Sequence, residues 1–253
     1  MRKLIAIMTC RKNADKAAAQ EATWAADIRK SGSADVMFFY GGVPMPLHET
    51  PGYVWLNVDD SYYGIPEKVR AICRWALLHG YDYLMKCDDD AYIAPLRFPA
   101  LPLRGCDYVG RFRGPHGNYP AHFASGFAYW LSRRAMQIVG HSQSLDWMDE
   151  RFVANRLALE GIFGYTDSVN YLVTGPFTPA SAILQRKVLS SGTVFCEYSA
   201  KQQYEMHKYL RFAPPVVGHP VLREVPRVSI TLEQFNAPPK DKPAQNKIEK
   251  YLR

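Results

Sequence analysis

No G-x-G-x-x-G and no G-x-x-x-x-G-K stretch occurs in the 253 residues. Both motifs bring backbone amides against phosphate, so their absence argues against a dinucleotide fingerprint and a P-loop. Long hydrophobic runs are missing too. The first apolar run, residues 4–8, is far too short to span a bilayer or to form the core of a signal peptide. With no anchor or leader in view, the expectation is a cytoplasmic enzyme of a bacterium or virus, or a domain cut from a longer chain. There is no C-x-x-C. The five cysteines, Cys10, Cys73, Cys87, Cys106 and Cys196, are odd in number, and Cys73 and Cys87 sit in apolar stretches. Free thiols in a reducing compartment are the simplest account. No internal repeat and no nucleic-acid-binding motif is present, so no nucleic-acid partner is expected.

The composition supports a full core: 47% of residues are hydrophobic and 22% charged. The length fits one large α/β domain or two small ones. A net charge of +7 is mild and points to a phosphate-bearing small ligand or an anionic surface. An ordinary basic surface is the plainer reading of any single patch.

Hydrophobic spacing predicts a mixed order of strands and helices. Residues 3–9 form a first buried strand. A helix follows over about 15–30, with Asn13 as its cap and Ala17, Ala18, Trp24, Ala25 and Ile28 on its apolar face. Strands are expected at 34–40 and 53–58, joined by a loop over 43–52. A helix over about 66–79 has Pro66 in its first turn and Gly80 at its end. A strand over 83–85 leads into Asp88-Asp89-Asp90. Beyond it come short strands at 107–110 and 127–131, helices at 132–139 and about 146–160 with Asp146 as cap, and a strand or hairpin in 183–195. Ser199 and Gln202 form a capping box for a helix to Leu210. Weak strand character at 228–232 precedes a basic tail. The β-α-β-β-α-β opening implies an α/β fold with a mostly parallel central sheet flanked by helices.

The triple aspartate carries the strongest chemical signal. Ligands bind at the carboxyl ends of strands in open α/β sheets. Three acids there repel one another, and leaving them desolvated and unpaired costs several kcal/mol, of the order of about 3–5. A divalent cation removes that cost, and hard oxygen ligands suit Mg²⁺ or Mn²⁺ shared with a substrate diphosphate. An acidic solvated turn is the bland alternative. Asp149 and Glu150, in a helix's first turn, are favoured there by the helix dipole, or they supply a general base. Arg11 and Lys16, near the first helix, can meet phosphate or simply face solvent.

Several segments together resemble the β-1,3-glycosyltransferases, the galactosyltransferase and Fringe family. Asp60-Ser61-Tyr62 through Lys68 is similar to its D-S-Y-x-N-L-T-x-K stretch. Trp75, then Tyr83, Lys86 and Asp88-Asp89-Asp90, resemble its W…Y-x-x-K-x-D-D-D segment. Tyr119-Pro120 through Ser125-Gly126, Tyr129 and Ser132 resemble Y-P-x-Y-x-S-G-x-x-Y-x-x-S. Asp149-Glu150-Arg151-Phe152-Val153 resembles E-D-V-Y-V, and Thr23-Trp24 resembles the early R-x-T-W motif. The likeness covers roughly residues 3–210.

That resemblance implies a Rossmann-like GT-A fold in one catalytic domain over 1–212. Residues 1–94 are its nucleotide-sugar half, 95–212 its acceptor half, and 213–253 a proline-rich basic extension or linker. It implies an inverting, metal-dependent transfer from a nucleotide sugar, a UDP-sugar foremost, to a glycan hydroxyl, with Mn²⁺ or Mg²⁺. On the matched positions Asp88 and Asp90 are metal ligands. Thr9, Arg11, Asp60, Lys68, Asp88, Asp89, Ser125 and Gly126 form the nucleotide-sugar set. Glu150 is the base, with Asp149 as runner-up. The family often adds a late histidine to the metal. His207 is the first choice here, with His219 or Glu197 as replacements and a surface-helix role for His207 as the alternative. The loop over 95–118 is expected to cover the donor. Three departures stand out: Glu21 occupies the early arginine position, Arg151 replaces a small apolar residue, and Glu150 is one carbon longer than the family's Asp. Two competing readings follow. One is a metal-dependent phosphohydrolase or nucleotidyltransferase on the same aspartates. The other is an inactive module that binds a glycan or nucleotide sugar.

Overall fold

The computed structural model describes residues 1–42, 47–101, 103, 105–114, 122–143, 146–167, 170–173, 193–196, 198–214, 222–228 and 230–236. Four strands form the centre of one sheet: β1 (Lys3–Met8), β2 (Asp35–Tyr40), β4 (Tyr53–Trp55) and β5 (Tyr83–Asp88). They lie in the order β5-β1-β2-β4, all parallel. Both faces of β1 are buried. Leu4, Ala6 and Met8 enter one core, while Ile5 and Ile7 enter the other. A near-continuous apolar run with strand periodicity is what a doubly covered parallel strand requires.

Two layers of helices supply the covers. On one side pack α3 (Ile65–Leu78), α4 (Arg133–His141) and α5 (Asp149–Leu159), through Ile72, Trp75, Met136, Phe152 and Leu157. On the other lie α1 (Ala14–Gln20), α2 (Ala26–Ser31) and α6 (Ala200–Leu210), through Ala17, Ile28 and Met206, with Trp24 from the turn between α1 and α2. A smaller sheet joins this second layer: β10 (Tyr171–Val173), β11 (Val194–Cys196) and β6 (Tyr92–Ile93).

The flanks of the large sheet are less parallel than the opening pattern suggested. β8 (Phe123–Ser132) runs antiparallel to β5 and to β7 (Tyr108–Arg113). On this flank of the large sheet, among the described residues, parallel pairing recurs between β7 and β9 (Tyr165–Thr166). β12 (Arg223–Glu224) and the short β3 (His48–Thr50) close the two edges antiparallel. The described chain between β5 and β7 holds no crossover α-helix, only β6 and a single 3-10 turn at Phe98–Ala100. β7 nonetheless runs in the same direction as β5, since both pair antiparallel with β8, which enters between them.

Other expectations shift in register or in kind. The first long helix is broken. α1 and α2 flank a π turn at Glu21–Ala25, where Thr23 is non-helical (φ −123°, ψ −115°) and its hydroxyl donates to the Ala19 carbonyl at 2.6 Å. Serine and threonine back-bonding of this kind bends helices. Asn13 makes no cap bond, because its amide donates to Asp89 instead, and Ala18 is exposed. The strand at 53–58 ends at Trp55, and β3 lies inside the expected 43–52 loop. β7 extends to Arg113, so part of the expected covering loop is regular strand. Met148, not Asp146, occupies the α5 cap position; Asp146 accepts from the Trp147 and Met148 amides and so turns the chain into the helix. Residues 228, 230 and 231 are irregular, and Leu232 opens α7 (Leu232–Asn236) in place of a strand. Most of 183–195 lies outside the described residues. The Ser199–Gln202 capping box and the α3 boundaries stand as read. Among the described residues Cys10, Cys73, Cys87 and Cys106 are free thiols, and no helix is long and apolar enough to cross a membrane.

The turn after β5 is held from behind through its carbonyls. The Gln20 amide donates to the Asp88 and Ala91 carbonyls at 3.0 and 2.7 Å. Gln203 donates to the Asp89 carbonyl at 3.0 Å, and the Tyr198 amide to the Asp90 carbonyl at 3.0 Å. Gln20 is fully buried. Gln20→Leu strands these acceptors and is expected to cost about 1–3 kcal/mol, read as a lower midpoint in urea unfolding. An unchanged midpoint would mean that other donors hold the turn.

Candidate active site

β1 and β5 end side by side, with Met8 in register with Asp88. A cleft of about 250 Å³ opens there, lined by Thr9, Asn13, Lys16, Asp60, Tyr62 and Lys68 around the three aspartates. Asp88 ends β5 while Asp89 and Asp90 lie in the turn that follows, and the three acids have three different surroundings.

Asp88 receives a hydrogen bond from Lys86 at 2.7 Å. Burial raises its pKa, Lys86 opposes the rise, and Asp90 and Asp149 reinforce it. Asp89 is buried and turned toward β1, accepting from the Thr9 hydroxyl at 2.8 Å and the Asn13 amide at 3.0 Å, with Lys16 at 3.9 Å. Burial raises its pKa against those hydrogen bonds. Thr9 and Asp89 therefore engage each other at the cleft wall. Asp90 lines the cleft and is half-buried. Lys68 is buried. It donates to the Thr9 carbonyl at 2.5 Å and pairs with Asp60, which in turn accepts from the Gly41 amide at 3.1 Å. The Asp60–Lys68 pair thus ties the ends of β1 and β2 to α3. Arg11 is exposed on the turn beside the cleft and is not part of its lining.

The second group of acids comes from the start of α5. Asp149 is buried. Its Oδ2 accepts from the Tyr129 hydroxyl at 2.8 Å and lies 3.3 Å from Lys86 Nζ. Lys86, itself buried, also donates to the Gly126 carbonyl. Its charged form is favoured because Asp149 and Asp88 outweigh the desolvation that opposes it. Lys86 had no role in the sequence reading. Its signal was there: a lysine two residues before Asp88 shares that residue's face of the strand.

Glu150 points to a different place. A Cβ added to Gly126 would stand 3.3 Å from Glu150 Oε2, so the glycine leaves the space that the carboxyl borders. Burial, then the Asp149 charge, then a hydrogen bond to Asp149, push the Glu150 carboxyl up to about 8. Two adjacent carboxyls that share a proton behave this way. Tyr62 stands close by: burial first, and then the charges of Glu150, Asp149 and Asp88, push its phenol up to about 12.

The remaining predicted residues fall as follows. Ser125 accepts from Arg113 Nε at 3.0 Å. His207 is not in the cleft lining. Its Nδ1 lies 3.1 Å from the Tyr92 hydroxyl and its Nε2 3.5 Å from Asp27. His219 and Glu197 lie outside the described residues, as do Tyr119 and Pro120. Among the described residues no three His, Cys, Asp or Glu side chains form a ready-made metal cage. Of the departures, Glu21 pairs with Arg29 at 2.5 Å, and Arg151 pairs with Asp146 at 2.8 Å.

The Glu150 carboxyl generates a pH test. Its folded pKa lies above the ordinary 4.5, at about 8. Between those values the folded protein holds a proton that the unfolded chain has released, so this group's contribution to stability falls as pH rises through the window. Glu150→Gln is expected to alter Tm least near pH 4.5 and to raise it relative to the natural chain above pH 8, measured by calorimetry without divalent cations. A Tm difference independent of pH would contradict the shifted carboxyl.

Neither a protein-family model nor a curated protein matches the sequence. Solved structures do. A glycosyltransferase involved in the glycosylation of the major capsid of PBCV-1 superposes with a TM-score of 0.51 at 11% identity, over 82% of this chain and 100% of that one. The galactosyltransferase LgtC, in complex with donor and acceptor sugar analogs, gives 0.49 at 11% identity over 83% of this chain and 97% of its own. The catalytic domain of Drosophila β1,4-galactosyltransferase 7 gives 0.42 at 12% identity, over 64% and 63%. The large mixed sheet between two helical layers, with the first of these likenesses, gives the chain the GT-A fold of the glycosyltransferases.

Proposed function

We propose that the chain is a metal-dependent inverting glycosyltransferase. It moves a sugar from a nucleotide sugar, a UDP-sugar by the sequence resemblance, to a glycan hydroxyl. One observation carries this reading: the acids divide into two sets with different environments. Asp88 and Asp90 border the cleft at the end of β5, while Asp149 is committed to Lys86 and Tyr129 and leaves Glu150 beside Gly126. Like carboxyls placed in two different surroundings can take separate roles in one reaction.

The donor side suits a hard divalent cation. Asp88 and Asp90 offer carboxylate oxygens, and the charge of Asp90 raises the Asp88 pKa, a repulsion that a cation relieves. These two residues would hold Mn²⁺ or Mg²⁺, which when bound neutralises charge on a diphosphate leaving group. Lys16 adds a positive side chain to the cleft wall. His207 is left out of this set, because its ring nitrogens face Tyr92 and Asp27.

The acceptor side needs one base opposite the leaving group. Glu150 fills that role better than Asp149. Asp149 is occupied by its contacts with a lysine and a tyrosine, whereas Glu150, with its pKa raised to about 8, holds a proton tightly once it has taken it. Transfer is then expected to rise with pH through about 8 as the base ionises.

The test is turnover of a panel of nucleotide sugars with Mn²⁺, read as release of nucleoside diphosphate against phosphate or pyrophosphate. Nucleoside diphosphate is the expected product; phosphate or pyrophosphate would favour a phosphohydrolase or nucleotidyltransferase. Glu150→Ala is expected to lower kcat by about 10²–10⁴-fold while the donor KM stays within a few fold. Full transfer in that variant would overturn the base assignment.

A further inference from the structure

Tyr62 lines the cleft with Asp88 and Asp90, on the 3-10 turn Tyr62–Gly64 that leads into α3. Its ring packs against Trp147, with centroids 5.7 Å apart and planes 42° apart. Trp147 stands three positions before Glu150. The guanidinium of Arg151 lies over the indole, 5.3 Å from the ring centroid. Arg151 is 2% exposed and fixed by its bond to Asp146 at 2.8 Å. The order is therefore Asp146, Arg151, Trp147, Tyr62, cleft.

The turn under Tyr62 has no slack. A Cβ on Gly64 would stand 2.1 Å from the Asp59 carbonyl oxygen, so only glycine lets the two segments approach this closely. Asp59 also accepts from the Ser61 amide at 2.9 Å, one residue before the tyrosine. An aromatic side chain with few rotatable bonds, backed by a cation–π stack and seated on a tight turn, is a rigid wall.

A pyranose has an apolar C–H face and a rim of hydroxyls. A flat aromatic wall beside a general base can take that face and leave a hydroxyl aimed at the base. Water, or a serine hydroxyl on a peptide, has no such face to offer. This step rests on the glycosyltransferase reading above and narrows it.

We propose that Tyr62, backed by Trp147 and Arg151, is the platform on which the acceptor packs, and that the acceptor is a sugar ring presenting its C–H face to the Tyr62 ring with a hydroxyl toward Glu150. Tyr62 is a positioning residue for the acceptor and is not needed to hold the donor diphosphate. The departure at Arg151 acquires a role here, since it buttresses the wall instead of disturbing the base.

The experiment measures how donor turnover partitions between water and an added panel of methyl glycosides, with nucleoside diphosphate affinity measured beside it. Tyr62→Ala is expected to lower the ratio of transfer to hydrolysis by about tenfold or more, a larger fold-change than it makes in nucleoside diphosphate affinity. Tyr62→Phe keeps the ring and is expected to hold the ratio within about threefold. If Tyr62→Ala does not fold, Tyr62→Leu replaces it as a wall of comparable bulk without the ring and is expected to show the same loss. An unchanged ratio in the ring-free variant overturns the proposal. So does an equal loss in Tyr62→Phe, which would assign the effect to the hydroxyl, or a parallel loss of nucleoside diphosphate affinity, which would put Tyr62 on the donor side. If the natural chain turns over no nucleotide sugar, even by hydrolysis, the glycosyltransferase reading itself fails and takes this proposal with it.

Discussion

Lys86 is the charge on which the site depends. It is 2% exposed and contacts Asp88 on its own strand, Asp149 on α5 and the Gly126 carbonyl on β8. A buried ammonium is costly alone, and so is a buried carboxylate such as Asp149; with the partly exposed Asp88 beside them, the charges offset one another. The consequence is geometric as well as energetic. One ammonium group fixes how the aspartate turn, the glycine strand and the acidic helix start lie relative to one another. The antiparallel pairing of β5 with β8 puts Lys86 beside Tyr129, and Tyr129 in turn donates to Asp149. The elements that carry the two sets of acids are thus joined through a single hydrogen-bonded and ion-paired network around Lys86.

The aspartate turn is fixed from a second direction. Gln20 on α1, Gln203 on α6 and the Tyr198 amide take up its backbone carbonyls. The Gln203 carbonyl oxygen also accepts from the Trp24 indole at 3.3 Å, which ties the π turn of the first helical segment to the same cluster. With the carbonyls held on one side and Lys86 on the other, the carboxylates of Asp88 and Asp90 border the cleft. Preorganised groups of this kind need little rearrangement when a charged ligand arrives.

Much of this was legible in the sequence, for reasons that differ by element. The central strands and α3 declared themselves through buried runs and through Pro66 and Gly80 at the helix ends, because those signals are local. The triple aspartate located the cleft, because strand ends in α/β sheets collect ligands. The separate fates of the three acids were not legible. Asp89 turns toward Thr9 and Asn13, and nothing within a few residues of it says so. Asn13 looked like a helix cap, and a long-range partner overrode that local preference. The antiparallel flank depended on β8 entering between β5 and β7 and pairing with both, which nothing local in its apolar run announces. Glu150 was set above Asp149 in the sequence only by resemblance. Its surroundings now give a physical ground for the same order, since Asp149 is bonded to Tyr129 and paired with Lys86. His207 was preferred because it follows the strand end at Cys196–Tyr198, and its contacts with Tyr92 and Asp27 are again long-range.

The central claim is that the cleft at the end of β5 takes a nucleoside diphosphate together with a divalent cation. Calorimetric titration of UDP and of other nucleoside diphosphates, with Mn²⁺ and with EDTA, tests it most directly, with Asp90→Ala as the comparison. The account predicts binding that requires the metal and is lost in the variant while the variant's fold is unchanged. Binding of equal strength in EDTA, or binding that survives Asp90→Ala, would contradict the metal site, and no binding of any nucleoside diphosphate under either condition would contradict the nucleotide-sugar account altogether.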